Sequence, residues 1–523
     1  MLSGTWRAPT ASNRYALTIP PNTWAGRFLV IVGVALVSGC AVGPNFERPA
    51  APDVTGYTPE RLPAQTASAN VAGGGAQRFL RDRDIPGEWW TLFHSRALKA
   101  VVEEALKNNP DLQAAQAALR VARENVYAGQ GAFYPSVDGN FAGSRQKPAI
   151  SGPPDDPSVI PNAPTFNLFT GQVNVSYSPD VFGGTRRAVE SLQAQAENQR
   201  FALEAAYLTL TANIVVAAVQ EASLRGQIAA TQQIIKIGSD ILELLRKQRS
   251  LGQIAELDVV AQEAALALIE QSLLPLQRQL AQQRHLLAAL VGRLPSEEPA
   301  EKFLLAALHL PRDLPLSLPS SLVEQRPDIR AAQANLQSAS ALIGVAVANR
   351  LPNITLTANV GSSAVAIEQL LTPHTGFWTL AGGVAQPIFH GGTLLHRELA
   401  ARAAFDQAAS QYRSTVITAF QNVADTLTAL QTDAVALQKA VVAERAAGRT
   451  LTITRQRMEL GDINYLALLN AQQTYQQALI NLVQAKANRF ADTAALFQAL
   501  GGGWWNRSDV APEPPLSVTD IFQ

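Results

Sequence analysis

The sequence predicts a chain of mixed α-helices and β-strands (an α+β protein) that arose by tandem duplication, with two strands and one long helical hairpin in each copy. Residues 109–119 recur in similar form at residues 326–336, which lie 326 − 109 = 217 positions further on. A Gly-Gly-Thr turn follows a strand-like segment in each half, at residues 183–185 and 391–393. After each turn come about 65 residues without proline, which predicts a helix far longer than is usual in globular proteins.

The strand-like segments have two chemically different faces. In the second copy Ile354, Leu356, Ala358 and Val360 alternate with polar residues, which is the period of a strand with one apolar side. Val173, Val175 and Tyr177 repeat the pattern in the first copy, and turn-rich stretches at residues 146–164 and 361–376 separate the strands of each pair. Four strands cannot close a membrane barrel, which takes about eight or more, so other chains must complete it. A small sandwich in a soluble periplasmic coiled coil is the alternative.

The helical segments have the spacing of coiled coils. Opening helices are expected at residues 111–131 and 328–349, long helices at 185–250 and 393–460, and return helices at 257–290 and 466–500. Apolar residues at alternating intervals of three and four predict a seam in the second long helix, formed by Phe420, Val423, Leu427, Leu430, Ala434, Leu437 and Val441 and interrupted at Glu444. In the first long helix, Ile228, Ile235 and Leu242 predict a seam with a seven-residue repeat. Pro275 is expected to kink the first return helix.

Composition argues against several functional classes. The 523 residues include 42 basic and 42 acidic side chains, so the chain lacks the basic excess of a nucleic-acid-binding protein. The six histidines are scattered without metal-ligand spacing, and no catalytic constellation stands out. We therefore expect no enzyme activity, no metal site and no bound cofactor.

The N-terminus has the features of a secretory signal that ends at the single cysteine. Residues 28–37 form an apolar run of about ten residues, whereas a membrane-spanning helix takes about 20. Arg27 precedes this run, and the sequence Val-Ser-Gly-Cys that ends at Cys40 resembles the lipobox of bacterial lipoproteins. That resemblance implies cleavage before Cys40 and a covalent lipid on it. An ordinary signal peptide that happens to end near a cysteine is the alternative.

Four segments together resemble the outer membrane factor (TolC-like) family, in its lipoprotein branch of NodT-type efflux proteins. They are Cys-Ala-Val-Gly-Pro-Asn-Phe-Glu-Arg-Pro at residues 40–49, Arg-Pro-Asp-Ile at 326–329, the glycine pair at 391–392, and Ala-Leu-Gly-Gly-Gly-Trp at 499–504. The resemblance implies a homotrimer in the bacterial outer membrane that extends into the periplasm. A twelve-stranded β-barrel would continue into a twelve-helix periplasmic α-barrel.

The same resemblance implies a passive exit duct for small molecules. Its partners would be a periplasmic adaptor (membrane fusion protein), an inner-membrane pump of the resistance-nodulation-division type and outer-membrane lipids. An outer-membrane duct for type I protein secretion is one alternative, and a periplasmic coiled-coil adaptor or scaffold lipoprotein is another.

The resemblance also assigns candidate site residues at the ends of the hairpins. Adaptor docking is expected at Arg249, Leu251, Gly252, Ile254, Arg457, Leu460, Gly461 and Ile463. The glycines also have a purely structural explanation, the left-handed turn that ends a helix. Each of the two arginines, Arg249 and Arg457, has two alternative partners, the terminal carbonyls of its helix or the adaptor.

A periplasmic aperture is expected at Asp258, Asp462, Leu466, Asn470 and Gln473. Family members often carry aspartate where this chain has Asn470, so the resemblance implies an aperture with less charge and a weaker cation preference. Asn470 as an ordinary polar residue on a helix surface is the alternative. The expected organisation has six parts: a signal peptide (1–39), a lipidated linker or equatorial segment (40–90), the first repeat (91–292), an inter-repeat linker (293–319), the second repeat (320–505) and a C-terminal tail (506–523).

Overall fold

The computed structural model describes residues 41–54, 56–60, 62–81, 83–147 and 164–507, so Cys40 and the expected signal peptide lie outside the described residues. Within that part of the chain the eight α-helices are α1 (Arg96–Asn108), α2 (Pro110–Gln130), α3 (Gly184–Ser250), α4 (Glu256–Val291), α5 (Pro319–Gln325), α6 (Pro327–Ala348), α7 (Thr393–Glu459) and α8 (Tyr465–Ala499). The strands are β1 (Arg78–Arg81), β2 (Ser136–Gln146), β3 (Phe166–Tyr177), β4 (Asp313–Leu316), β5 (Asn353–Ala364) and β6 (Gly376–Ala385).

The chain divides into two compact units, each of which takes material from both copies of the repeat. Residues 132–187 and 344–394 belong to a strand unit, whereas residues 44–131, 188–343 and 395–507 belong to a helical unit. The expected domain boundaries followed the repeat along the sequence. Each copy gives its strand pair to one unit and its hairpin to the other, and the expected boundaries along the sequence stay a prediction.

The strand unit is a single antiparallel sheet in the order β2-β3-β5-β6. Val173 pairs with Val360 and Val175 with Ala358, so the apolar sides of the two strand pairs lie on one face, as predicted. Strand β5 continues to Ala364, beyond the expected end near residue 361, because β3 extends back far enough to pair with it. The outer strands β2 and β6 have no further partner among the described strands, so each chain presents two open edges.

The helical unit is centred on an aromatic and aliphatic core. The Trp89 ring stacks on Phe497 with centroids 5.3 Å apart, and Phe93 lies 6.3 Å from Phe490. These side chains are almost completely buried. Burial of large aromatic rings contributes strongly to stability, which fixes the end of α8 against the segment that precedes α1.

The duplicated motif at residues 109 and 326 has an equivalent structural role in both copies. The Asn109 amide donates to the carbonyl of Leu290 at 2.9 Å, and the Arg326 guanidinium donates to the carbonyl of Ala499 at 2.9 Å. Both acceptors lie at the C-terminal end of a return helix, where carbonyls lack helical partners. Asn109 also caps α2, because its side chain accepts a hydrogen bond from the Leu112 backbone.

The predicted seam of α7 is confirmed, whereas that of α3 is wrong by one residue. From Val423 to Val441 each predicted α7 position is buried, with Phe420 partly so, and burial resumes at Ala447 after the interruption at Glu444. In α3, Ile228 and Ile235 are only half-buried, and Leu242 alone of the predicted set is buried. The buried positions that repeat at alternating intervals of four and three are Gln227, Thr231, Ile234, Gly238, Ile241 and Leu245. The apolar pattern alone does not reveal this seam, because two of its positions are polar and one is glycine.

Helices α3 and α4 are apolar enough, by length and composition, to cross a membrane. Their most apolar segments have mean hydropathies of 1.6 and 1.3. Core helices of soluble bundles have the same property, and the α3 segment is mostly buried within the chain. Helix α4 is continuous across Pro275, and the kink expected there stays a prediction.

Candidate functional site

Two similar turns end the long helices α3 and α7. Gly252 and Gly461 have φ angles of +75° and +79°, in the left-handed region that favours glycine. In the first turn Gln253 N–H donates to Gln248 O at 3.0 Å, and in the second Asp462 N–H donates to Arg457 O at 2.9 Å. This six-residue closure is the Schellman motif, which pairs otherwise free helix carbonyls. The structural role of the glycines is therefore as predicted.

The apolar residues of the two turns divide into exposed and packed pairs. Leu251 and Leu460 are 64% and 84% exposed. Ile254 and Ile463 are partly buried and pack against the core near the turns, which includes Ile241 and Leu468. The two leucines are available to another molecule, whereas the two isoleucines hold the ends of the hairpins together.

Both turn arginines pair with a carboxylate of their own turn. Arg249 lies 3.1 Å from Glu256, and Arg457 lies 2.6 Å from Asp462. The sequence allows two partners for these arginines, a helix carbonyl or an adaptor, and the structure adds this third one. Exposed ion pairs contribute only about 0–1 kcal/mol, so an incoming partner can replace either carboxylate at little cost.

Four of the five expected aperture residues lie along one stripe of α8 and the turn before it. Asp462, Leu466, Asn470 and Gln473 follow helical spacing and are all exposed. The side chains of Asn470 and Gln473 have no hydrogen-bond partner within the described residues. Because Asp462 pairs with Arg457, the stripe carries little uncompensated charge. Asp258 lies apart, in the first turn of α4.

A buried polar group behind this stripe was missed in the sequence. The Tyr465 hydroxyl donates to Gln262 Oε1 at 2.6 Å, and Gln262 Nε2 donates to the Gly238 carbonyl at 2.8 Å. Burial, with a smaller effect of Asp258, raises the Tyr465 pKa to about 12. A Cβ atom at Gly238 would lie 2.9 Å from Gln472 Nε2, so a larger residue there would displace the Gln472 side chain. In the sequence, the signal for this group is the presence of polar residues at positions where the helical spacing predicts burial.

A second missed group fastens the N-terminal linker to α8. Arg489 is fully buried, and its guanidinium donates to the carbonyls of Gly73 and Gly75 at 3.2 and 3.1 Å. It also donates to Gln77 Oε1 at 3.0 Å and to the Thr66 hydroxyl at 3.3 Å. We call residues 66–77 together with Arg489 the linker clasp. Burial lowers the Arg489 pKa.

An acidic pair lies one turn further along α8. Burial, together with the neighbouring Asp433 carboxylate of α7, raises the Asp492 pKa to about 7, against a smaller opposing effect of Arg489. Asp492 Oδ2 is buried and has no donor among the described residues. Two carboxylates in this position are stable together when a proton lies between them.

Within the described residues, no group of three or more His, Cys, Asp or Glu side chains is arranged to hold a metal ion. What the chain offers instead is an amphipathic sheet with open edges, two exposed helical turns and a polar helix stripe. An amphipathic sheet with two open edges is typical of a chain that pairs with further strands.

Comparison with known proteins agrees with this assessment. The family model described as outer membrane efflux protein matches residues 101–293 and 318–502. The toluene efflux pump outer membrane protein TtgF of Pseudomonas putida is 30% identical over 491 residues, which are 92% of this chain and 97% of that protein. The solved structure of the outer-membrane channel OprN has a TM-score of 0.79 at 25% identity and covers 89% of this chain and 100% of that one. The Campylobacter jejuni CmeC outer membrane channel has a TM-score of 0.80 at 23% identity and covers 90% and 97%.

Proposed function

This chain belongs to the outer membrane efflux protein family, and we propose from that premise how its residues perform the family's role. The chain is the outer-membrane exit duct of a tripartite efflux system. It acts as a homotrimer together with a periplasmic adaptor and an inner-membrane pump. A scaffold or adaptor lipoprotein is thereby excluded, and the family is one of channels rather than enzymes.

The observation that carries the duct function is the register of the strand unit. It places one apolar and one polar face on a sheet whose two edges are open. Three copies of four strands make twelve, and edge-to-edge closure leaves no backbone group unpaired in lipid. The apolar face then meets lipid and the polar face lines a water-filled lumen.

The exposed turns of α3 and α7 are the adaptor-docking surface in this proposal. Leu251 and Leu460 project from equivalent turns, so a trimer presents each of them three times. Arg249 and Arg457, with exposed partners, add exchangeable charge at the same positions. Apolar anchors flanked by exchangeable ion pairs suit a partner that docks reversibly.

The stripe of Leu466, Asn470 and Gln473 is the periplasmic aperture in this proposal. The exposed side-chain amides of Asn470 and Gln473, which have no partner within the described residues, can bond across the threefold axis of a trimer. With Asp462 compensated by Arg457, closure would depend on hydrogen bonding and packing more than on charge. Asp258, in the first turn of α4, does not belong to the stripe.

Cys40 is the lipid-attachment site in this proposal, supported by the apolar segment before it and the lipobox-like sequence that ends on it. The β-barrel would hold the trimer in the membrane by itself, so the lipid aids sorting and assembly. We expect Cys40→Ala behind an ordinary signal peptide to abolish fatty-acid labelling and still yield some membrane-inserted trimer. Complete loss into the soluble fraction would show that the anchor is indispensable.

The cargo is small molecules, as the efflux description of the family indicates, and a resistance-nodulation-division pump supplies the energy. Deletion of the pump gene alone, or of the gene for this chain alone, in the host tests this assignment of cargo and pump. Accumulation of small toxic compounds in cells that lack either the pump or this chain is the expected result. Unchanged accumulation together with loss of a secreted protein would favour the type I secretion alternative.

Docking is tested by the charge variants Leu251→Asp and Leu460→Asp, measured for binding of the purified trimer to its purified adaptor. We expect affinity to fall at least tenfold, about 1.4 kcal/mol, while the thermal midpoint of the trimer stays unchanged. Leu371→Asp is the control, because Leu371 is also exposed (94%) but lies in the β5–β6 loop. Wild-type affinity in both turn variants would contradict docking at these turns.

A further inference from the structure

The polar face of the strand unit is almost free of charge. Asp138, Asn174, Asn359 and Thr379 are successive cross-strand partners in β2, β3, β5 and β6, so they form one row of this face. The face is formed by Ser136, Asp138, Asn140, Ala142, Ser144 and Gln146 of β2, the even-numbered residues 166–176 of β3, the odd-numbered residues 353–363 of β5 and the odd-numbered residues 377–385 of β6. Asp138 is the single ionisable side chain among these residues of the described strands.

Asp138 also has no local counter-charge. Its side chain is exposed, and no hydrogen bond or ion pair to it occurs within the described residues. Its row neighbours across the sheet are two asparagines and a threonine, which are neutral. Arg145, the other charged residue of β2, lies on the opposite, apolar face. The carboxylate charge is therefore uncompensated on its own face.

Symmetry turns this single residue into a ring. In a trimer whose polar face lines the lumen, three Asp138 carboxylates lie at one height. Twelve strands about 4.8 Å apart and tilted about 40° enclose a backbone cylinder about 24 Å across. Carboxylates that reach inward from this wall lie within roughly one Debye length, about 8 Å in physiological salt, of an ion on the axis. Every solute that leaves the duct must pass through their field.

The α8 stripe gives little charge discrimination, since Asn470 and Gln473 are neutral and Asp462 is paired with Arg457. We propose that Asp138 sets the charge preference of the duct, favouring cationic over anionic solutes inside the β-barrel. This inference rests on the proposed function, because it needs the trimeric lumen. It locates the discrimination in the barrel and not at the periplasmic aperture.

Planar-bilayer recordings of purified trimer in a potassium chloride gradient test the proposal through the reversal potential. We expect a cation-preferring wild type, a potassium-to-chloride permeability ratio near one in Asp138→Asn, and an anion preference in Asp138→Lys. Asp138→Glu should retain the wild-type value. Arg145→Gln is the matched control, because it removes a charge of the same strand from the apolar face.

A second measurement applies if a charge variant of Asp138 inserts poorly into the bilayer. Asp138→Cys trimers are treated with a charged thiol reagent. A negatively charged reagent should restore the cation preference, and a positively charged reagent should reverse it. A conducting Asp138→Asn pore with the wild-type reversal potential would overturn this inference and leave the duct function intact. A wild-type trimer that forms no pore would overturn both.

Discussion

The hydroxyl of Tyr465, at the start of α8, donates a 2.6 Å hydrogen bond to the side-chain oxygen of Gln262 in α4. Gln262 in turn donates to the Gly238 carbonyl of α3, so one chain of bonds joins both helical hairpins. Gln262 is 0% and Tyr465 7% exposed. The hairpin ends therefore cannot separate without breaking a buried hydrogen bond next to the proposed aperture.

Tyr465→Phe should loosen the hairpin ends. The substitution keeps the ring but leaves the buried Gln262 oxygen without its donor, which costs about 1–3 kcal/mol. We expect faster amide hydrogen exchange in residues 256–263 and a lower thermal midpoint. Tyr127→Phe is the control, because no hydrogen bond of the Tyr127 hydroxyl occurs within the described residues. Equal exchange in Tyr465→Phe and wild type would show that the bond does not hold the hairpins together.

Asn470→Asp should raise the cation selectivity of the trimer. Asn470 is exposed on the stripe of α8, so the variant adds three carboxylates around the threefold axis without burying any charge. The expected result is a larger potassium-to-chloride permeability ratio in planar-bilayer recordings, and this gain should persist in an Asp138→Asn background. Thr474→Asp, one turn further along α8, tests whether the position matters. Unchanged selectivity in Asn470→Asp would place residue 470 outside the ion path.

Arg489→Lys should open the linker clasp. A lysine cannot replace the planar fork that binds two carbonyls and two side chains at once. We expect protease cleavage within residues 66–77 to become at least tenfold faster in the folded trimer. Arg445→Ala is the matched control, since exposed Arg445 donates to Asn70 of the same segment at 2.9 Å. Similar cleavage in both variants would mean that the buried arginine has no special role.

Asp492→Asn should remove a pH dependence of stability. The folded chain holds this proton up to about pH 7, whereas the reference pKa of the carboxyl is 3.8. Between pH 3.8 and about pH 7 the folded chain therefore binds more protons than the unfolded chain. The contribution of the pair to the free energy of unfolding falls as the pH rises through this range, and it is constant above about pH 7. The variant should raise the thermal midpoint at about pH 8 and change it little at about pH 4.

Asp425→Asn on α7 controls for the loss of a carboxylate, because Asp425 is exposed. It should retain the wild-type slope of the midpoint against pH. The same slope in Asp492→Asn as in wild type would show that Asp433 and Asp492 do not share a proton.

The sequence predicted features that depend on a repeated apolar pattern. The α7 seam, the alternating strands and the turn glycines each place one residue type at a regular interval, and the structure confirms them. The α3 seam was misplaced because Gln227 and Thr231 occupy buried positions there. The Gln262–Tyr465 bond and the linker clasp join residues about 200 and 400 positions apart. No local pattern encodes such pairings, since they arise when the two hairpins and the linker pack together.

Three copies of this chain form a channel through the outer membrane in the proposed function. Extraction of the full-length protein from outer membranes in mild detergent, followed by mass measurement and single-channel recording on the same sample, tests it most directly. We expect particles of three chains that insert into a planar bilayer and conduct ions. A stable monomer that does not conduct would contradict it.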